Sequence, residues 1–222
     1  MKFENTEVFN FEGALRGMRN PMNSWDKADS FFDYDFYDIG KDDLSLAQKL
    51  IKAGGEHRKF MRQIFVSVDI TAPLYWWKEF DTYKVGTVAN STSTMHKLTS
   101  QPITEECFEI DDFDDRFTDV GRSNDAVLDI ITFLEDLREE YIRTKDKRYW
   151  KELVRWLPES WLQTRTITMN YENIFNMIKQ RSNHKLNEWS GKDNPDLPNF
   201  IFWAKLLPYA NELLFISQEE DN

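Results

Sequence analysis

The sequence predicts an α+β fold in which helices pack on an antiparallel or mixed sheet. Apolar residues recur every three or four positions in several segments, which is the spacing of a buried helix face. Two shorter segments alternate β-branched or aromatic residues with polar ones, as half-buried strands do. The 222 residues contain no internal repeat and no long linker, so we expect one domain over residues 1–222.

The first 43 residues contain few regular patterns. Within them, residues 31–43 alternate aromatic and acidic side chains. One interpretation is a loop or edge segment whose aromatic rings turn inward. The other is a stacking platform for a nucleobase, because an aromatic ring can stack on the face of any base.

A helix, a strand and a second helix are predicted next. Residues 44–53 carry apolar side chains on one helical face, and two glycines follow as a stop signal. Residues 60–70 show the near alternation of a strand. Pro73 then permits a helix over residues 74–84, because its fixed φ suits a first helical turn.

An acidic run occupies residues 105–119, and we expect a solvated lid or surface insertion at residues 100–122. The spacing of its oxygens fits no EF-hand, which needs a 12-residue pattern with a central glycine. Helical spacing resumes from residue 124 to 144 and again over 149–156.

The C-terminal third combines one strand with two helices. Residues 164–169 are strand-like, and residues 171–180 have helical spacing. A turn-rich break at 190–198 separates them from a last apolar helix over 200–215.

Composition excludes several classes of function. A net charge of -11 argues against a broad nucleic-acid-binding face, although a local arginine cluster can still bind a small anion. The single cysteine, Cys107, cannot form an internal disulfide, and no signal peptide or apolar run of membrane-spanning length is visible. We therefore expect a cytoplasmic protein without a membrane partner. The three histidines and one cysteine have no zinc-site spacing, so no metal site is predicted.

Residues 72–97 are the strongest candidate for a ligand site. The segment begins with apolar and aromatic residues and ends with a run of polar ones. Its second half contains, in order, Thr82-Tyr83-Lys84, Thr87, Asn90, Ser91, Ser93 and Met95. If Ala89 is allowed as one extra residue, these positions align with a signature motif of the form R-H-R-x-x-S-x-N-E-x-S-x-R, in which x is any residue.

A second block lies near the C-terminus. It contains, in order, Leu157-Pro158, Thr168-Met169-Asn170, Asn176, Arg181 and His184. Together the two blocks resemble the flavin-dependent thymidylate synthases (ThyX), and in particular the divergent members that bacteriophages often encode.

The resemblance implies a ThyX-like fold and a homotetramer that binds FAD and dUMP where subunits meet. In that family, reduced flavin and methylenetetrahydrofolate convert dUMP to dTMP without a protein nucleophile. Arg181 falls on an arginine that holds the pyrimidine nucleotide, and Asn170 and Asn176 fall on asparagines near flavin and nucleotide.

Several family residues are replaced in this chain. Where the family has R-H-R, Lys84 is the one cation that remains in this chain. Met95 stands at the position of the last arginine of the signature, and Ser91 stands at the position of its glutamate. Gln63 stands where the family has a histidine on the preceding strand. These losses remove charge-assisted bonds to phosphate, each worth roughly 1.5–3 kcal/mol.

The candidate site residues fall into three groups, and no catalytic residue is assigned. The candidate nucleotide-binding residues are Lys84, Asn90, Ser91, Ser93, Arg181 and His184. The candidate cofactor-binding residues are Gln63, Tyr83, Asn170 and Asn176. The candidate anion contacts are Arg16, Arg19 and Arg165.

Two functions remain open at this stage. We expect a nucleotide-binding protein with a degenerate catalytic signature, which sequesters a nucleotide in conflict between phage and host. The alternative is an active FAD-dependent enzyme that methylates dUMP with methylenetetrahydrofolate and NADPH. A purely structural interaction protein is a third interpretation, which the polar cluster at residues 82–97 disfavours.

Overall fold

The computed structural model describes residues 1–34, 36–110 and 123–216, apart from the side chains of residues 123–125. It confirms the predicted α+β fold. The strands are β1 (Lys2–Phe9), β2 (Phe31–Asp33), β3 (Phe36–Asp38), β4 (Phe65–Pro73), β5 (Val88–Ser91) and β6 (Leu162–Asn170). The helices are α1 (Phe11–Met18), α2 (Lys41–Lys52), α3 (Leu74–Phe80), α4 (Thr94–Lys97), α5 (Ser123–Thr144), α6 (Lys147–Trp156), α7 (Tyr171–Arg181), α8 (Asn187–Ser190) and α9 (Phe200–Lys205).

The described strands form two sheets. Four of them make one sheet in the order β1-β4-β6-β5. Strand β4 carries buried Val66, Val68 and Ile70 at every second position, which is the alternation expected of a strand with one buried face. Strands β2 and β3 form a separate antiparallel hairpin, in which Phe32 lies opposite Tyr37.

By its internal contacts the chain divides into two compact units. The first unit consists of Met1, Thr71–Thr82 and Asn90–Arg165. The second consists of Lys2–Ile70, Tyr83–Ala89 and the chain from Thr166 onward. The assignment of residues 1–222 to one domain stays a prediction.

The first unit has its own apolar core. Its central residues are Leu98, Ile103, Phe108, Ile131, Leu134 and Leu153. Helix α3 begins where the Leu74 N–H donates to the Trp161 carbonyl at 3.1 Å. It ends at Phe80, four residues before the predicted end, because the Thr82 hydroxyl closes the last turn on the Glu79 carbonyl at 2.8 Å.

The second unit is built around α1, α2 and α7. Ala14 of α1 and Ala47 and Ile51 of α2 are fully buried, which allows close packing of the helix backbones. The Phe11 ring meets the Tyr171 ring edge-on, with centroids 5.5 Å apart. The sequence showed few patterns over residues 1–43, yet β1 and α1 form there. Strand β1 has no strand pattern in the sequence, because nearly all of its side chains are exposed and its residues therefore do not alternate in polarity.

Two further predicted elements were wrong in extent. Residues 60–63 belong to a 3₁₀ turn (Lys59–Gln63), so β4 begins only at Phe65. The single helix over 200–215 is wrong, because α9 ends at Lys205 and Tyr209 adopts a left-handed φ of 53°. Its hydroxyl accepts the Ile39 N–H at 2.8 Å, and a π-helical turn (Ala210–Leu214) follows.

The aromatic segment at residues 31–43 forms the β2–β3 hairpin and the start of α2. Phe31 is 56% exposed and Phe36 is 53% exposed, so the interpretation with inward rings is wrong for these two residues. Most of the predicted acidic lid, residues 111–122, lies outside the described residues. Within the described part of the predicted segment, the Glu109 carboxylate pairs with the Met1 ammonium group at 2.9 Å.

Candidate functional site

Helix α7 places Arg181 in its last turn, within the second unit. The Arg181 Nε donates to the Tyr83 hydroxyl at 2.8 Å. Its guanidinium carbon lies 5.4 Å from the centroid of the Tyr83 ring and 5.1 Å from that of the Trp189 ring. Two aromatic faces and one hydrogen bond therefore hold the guanidinium in place, and an ordered guanidinium loses less entropy when it binds an anion. We call Tyr83, Arg181, His184 and Trp189 the Arg181 cluster.

His184 joins this cluster through the chain and through its ring. Its N–H donates to the Arg181 carbonyl at 3.0 Å, which continues the end of α7 by a turn. Its Nδ1 accepts the Leu186 N–H at 3.2 Å, and its ring lies 6.4 Å from the Trp189 ring. In this geometry Nδ1 is a hydrogen-bond acceptor.

Lys84 follows Tyr83 in an exposed turn of the second unit. The Thr87 hydroxyl donates to the Tyr83 carbonyl and closes the turn. Gly86 within it has a φ of +81°, and a Cβ there would lie 3.0 Å from Asn173 Oδ1. The turn therefore needs glycine. Lys84 lies in this turn, directly after Tyr83 of the Arg181 cluster in the chain.

The predicted cofactor residues of α7 have structural partners. The Asn170 Oδ1 accepts the Asn173 N–H at 3.0 Å, and the Asn173 Oδ1 accepts the Asn170 N–H at 3.2 Å. This reciprocal pair is a capping box, which satisfies two N–H groups at the start of the helix. The Asn176 Oδ1 accepts a long hydrogen bond of 3.4 Å from Arg58.

Gln63 lies before β4 and packs against α1. Its Oε1 would be 2.9 Å from a Cβ placed on Gly17, so its side chain occupies the space that this glycine leaves. Its carbonyl accepts the Asn10 Nδ2–H at 2.8 Å. Nearby, Arg58 and Arg62 both pair with the Glu172 carboxylate.

The candidates of the first unit lie on β5, at the start of α4 and on β6. Asn90 and Ser91 are exposed on β5. The Ser93 hydroxyl accepts the His96 N–H at 3.1 Å and so caps α4. The Arg165 Nη1 donates to Asp81 at 2.8 Å, and its guanidinium lies 4.2 Å from the centroid of the Trp77 ring.

Arg19 belongs to an ion pair that the sequence did not reveal. It is 4% exposed, and its Nε donates to Asp43 Oδ1 at 2.5 Å. The other carboxylate oxygen accepts the Ser30 hydroxyl at 2.6 Å and the Ser30 N–H at 3.1 Å. Arg16 is exposed and pairs at 3.6 Å with Glu12, one turn earlier on α1. No sequence signal separates Asp43 from Asp42 beside it, because only the packing of α2 buries one of them.

This ion pair underlies a cavity of about 400 Å³ within the second unit. The cavity is lined by α1, the loop between α1 and β2, the β2–β3 hairpin and the start of α2. Its lining residues are Glu12, Leu15, Arg16, Arg19, Trp25, Ala28, Ser30, Phe31, Phe32, Tyr37 and Asp43. Burial, followed by the nearby Asp43 carboxylate, raises the pKa of Tyr37 above its usual 10.0. The phenol therefore stays a hydrogen-bond donor at neutral pH.

Two kinds of feature are absent from the described residues. No group of three or more His, Cys, Asp or Glu side chains in residues 1–34, 36–110 and 123–216 is arranged to hold a metal ion. Within the same part of the chain, no helix has both the length and the apolar character needed to cross a membrane.

Comparison with known proteins identifies the fold. No family model matches the sequence, and no curated protein matches it either. The structure is similar to that of flavin-dependent thymidylate synthase ThyX from Helicobacter pylori complexed with FAD and dUMP, with a TM-score of 0.66 and 14% sequence identity over 97% of this chain and 98% of that one. A second structure of Helicobacter pylori ThyX with FAD and dUMP gives a TM-score of 0.67 and 14% identity, covering 97% of both chains. The chain therefore has a ThyX-like fold.

Proposed function

We propose that this chain is a nucleotide-binding protein built on the ThyX-like fold, and that the Arg181 cluster with Lys84 holds the nucleotide. The observation that carries the proposal is the position of Arg181. Its guanidinium is held by Tyr83 and Trp189 at the end of α7 before any ligand arrives. Such a fork suits a phosphate or the carbonyl of a pyrimidine.

The charges around the cluster support an anionic ligand. Lys84 adds an exposed ammonium group in the turn that begins at Tyr83. His184 adds an imidazole ring that packs near Trp189 in the same cluster. A cluster of donors that carries positive charge can bind a small anion in spite of the net charge of -11. Asn90, Ser91 and Ser93 stay predicted ligand contacts of the first unit.

The structural neighbours support a nucleotide as the ligand class. Nearly the whole chain is similar to structures that contain FAD and dUMP. We therefore propose dUMP or a related pyrimidine nucleotide as the first ligand to test, with FAD as a candidate second one. A homotetramer and a cytoplasmic location belong to the same proposal.

Loss of catalysis is the finer part of the proposal. The family pattern R-H-R is replaced here by Thr82-Tyr83-Lys84, and the Tyr83 hydroxyl is engaged by Arg181 and Gln180. Asn170, a candidate flavin contact, uses its side-chain oxygen to cap α7. Binding without turnover would sequester the nucleotide, which is the role we propose in conflict between a phage and its host.

An active FAD-dependent thymidylate synthase is the second candidate, favoured by the FAD and dUMP in the similar structures. The two functions separate in one experiment. The purified full-length chain is examined for the visible absorption of oxidised flavin, loaded with FAD, and assayed for dTMP from dUMP, methylenetetrahydrofolate and NADPH. We expect dUMP or a related nucleotide to bind and no dTMP to form. Formation of dTMP would establish the enzyme instead.

Arg181 provides the direct test of the binding site. We expect Arg181→Ala to weaken nucleotide binding by about 1.5–3 kcal/mol, or roughly ten- to a hundred-fold, because a charge-assisted bidentate contact is lost. Isothermal titration of both proteins with dUMP, FAD and a panel of cyclic nucleotides measures the change.

The matched control for this test is Lys185→Ala. It removes one exposed positive charge four residues beyond Arg181 and leaves the cluster in place. Binding that is equally sensitive to both changes would mean a general charge effect and not the proposed site.

A further inference from the structure

The cavity beside the buried Arg19–Asp43 pair shares none of its lining residues with the Arg181 cluster. Its volume of about 400 Å³ lies within the range of small-molecule sites, roughly 300–1,000 Å³. All of its walls belong to the second unit. The proposed nucleotide site does not include this cavity. Four of the residues that line the cavity belong to residues 31–43, the segment that alternates aromatic and acidic side chains.

Aromatic rings form one wall of this cavity. Phe31, Phe32 and Trp25 line it, and each is more than half exposed. Exposed rings beside a concave site favour a planar ligand, because base–aromatic stacking is tolerant of ring type and strong in water. Phe36 has a similar exposure on the same hairpin but lines a different cavity.

The charges of the lining groups cancel. Arg16 and Arg19 contribute two positive charges, and Glu12 and Asp43 contribute two negative ones. A balanced lining in a protein of net charge -11 does not attract a phosphate. The cavity therefore favours an uncharged ligand, unlike the Arg181 cluster.

The polar groups at the rim specify which uncharged ring fits. Arg16 and Glu12 are both exposed and lie one turn apart on α1, with a loose contact of 3.6 Å between them. Arg16 offers a donor and Glu12 an acceptor side by side. A ring edge with a carbonyl next to an N–H, the lactam edge of uracil, thymine and guanine, is complementary to that pair.

Arg19 adds an unused donor beneath the same cavity. Its Nε bonds to Asp43 and its Nη1 bonds to the Ser24 carbonyl at 3.3 Å. Its Nη2 is buried and has no hydrogen-bond partner among the described residues. A buried donor without a partner is unfavourable, and Arg19 is one of the residues that line the cavity.

We propose that this cavity binds an uncharged nucleobase or nucleoside with a lactam edge. The base stacks on Phe31 and Phe32, and its lactam edge forms hydrogen bonds with Arg16 and Glu12. The ligand class follows from stacking walls, a neutral lining and a donor–acceptor pair at the rim. This site is independent of the nucleotide site proposed above.

Isothermal titration of the Arg181→Ala chain, in which the proposed nucleotide site is disabled, with uridine, uracil, cytidine and uridine monophosphate tests the proposal. Uridine should bind more tightly than cytidine, which has no N–H in its ring, and more tightly than uridine monophosphate. Comparison of uracil with uridine shows whether the base alone is the ligand. Absence of uridine binding at millimolar concentration, or a preference for the monophosphate, would overturn the proposal.

Two hairpin variants locate the bound nucleoside. Phe31→Ala should weaken uridine binding by roughly five- to a hundred-fold, the range for loss of one stacking ring, and Phe36→Ala should leave it unchanged. Both rings are exposed, so neither change should unfold the protein. Equal effects of the two variants, or no effect of Phe31→Ala, would place uridine elsewhere and overturn the proposal.

Arg181→Ala separates this site from the nucleotide site. Uridine binding should survive that change whether or not nucleotide binding is lost. A parallel loss of uridine binding would assign the nucleoside to the Arg181 cluster and overturn the second site.

Discussion

The arginines of this protein differ in their surroundings, and those surroundings decide what each one can do. Arg19 and Arg165 each lie within hydrogen-bonding distance of a carboxylate, that of Asp43 and that of Asp81. The guanidinium of Arg181 contacts two aromatic rings and a phenol. Residue type alone does not separate these cases, although all three arginines were candidate ligand contacts.

Glu135 allows a test at the level of one titrating side chain. Arg138 donates to its carboxylate at 2.7 and 2.5 Å, and the Ile103 N–H donates to it at 2.7 Å. The hydrogen bonds from Arg138 have the largest effect and that from Ile103 a smaller one, and together they hold the pKa of Glu135 below its usual 4.5. In acid the unfolded chain therefore binds more protons than the folded one, so the stability that Glu135 contributes is lost as the pH falls below 4.5.

Replacement of Glu135 by Gln should remove this pH dependence. We expect Glu135→Gln to lower the free energy of unfolding by about 1 kcal/mol at neutral pH, a value discounted for partial exposure. The difference from wild type should shrink as the pH falls below 4.5, and urea unfolding at several pH values measures it. Glu106→Gln, at an exposed position, is the control and should follow wild type at every pH. A difference that stays constant with pH would contradict the assignment.

At the level of elements, α7 and the turn before β5 depend on each other. Asn170 and Asn173 cap α7, and the Asn173 Nδ2 also donates to the Val85 carbonyl at 2.8 Å. The cap therefore holds the turn that contains Lys84. Gly86 lies against both asparagines, with its Cβ position 3.0 Å from Asn173 and 3.1 Å from Asn170.

Gly86→Ala should disturb this junction. A left-handed φ costs a non-glycine residue about 1–2 kcal/mol, and the contact with two side chains that form the cap adds to it. We expect thermal or urea unfolding to show a loss of about 2–3 kcal/mol. Gly54→Ala is the control, because Gly54 also has a positive φ but has no atom within 4 Å of its Cβ position. Gly54→Ala should cost less, and equal losses would show that the cap contributes nothing.

At the level of the whole molecule, assembly is the open property. The resemblance to ThyX led us to predict a homotetramer, and large exposed apolar side chains such as Met22 and Trp156 are consistent with surfaces that another chain covers. Each chain carries a net charge of -11, so four copies repel one another at low ionic strength.

Light scattering coupled to size exclusion tests the assembly. We expect a particle of four times the 26.5 kDa chain mass at micromolar concentration. The tetramer should dissociate less on dilution at high salt than at low salt, because salt screens the repulsion between like charges. A 26.5 kDa monomer under both conditions would contradict the prediction.

The sequence by itself determined the fold class and the elements that have strong local patterns. Strand β6 and helix α7 were predicted to within two residues at each end, because alternation and helical spacing are properties of neighbouring residues. The resemblance in two short blocks led to the fold that the structural neighbours share.

Only the tertiary structure decided what depends on residues far apart in the chain. The packing of α2 against α1 makes Asp43 the partner of Arg19, and nothing in the run Lys41, Asp42, Asp43 indicates which carboxylate is buried. Tyr209 reaches the backbone of Ile39 and Tyr37 and interrupts the predicted last helix, a contact across about three-quarters of the chain. The cavity beside Arg19 and the contact of Tyr83 with Arg181 likewise depend on segments that are distant in the chain. Local patterns record the preferences of a segment, whereas burial, charge pairing and cavities depend on which segments the folded chain brings together.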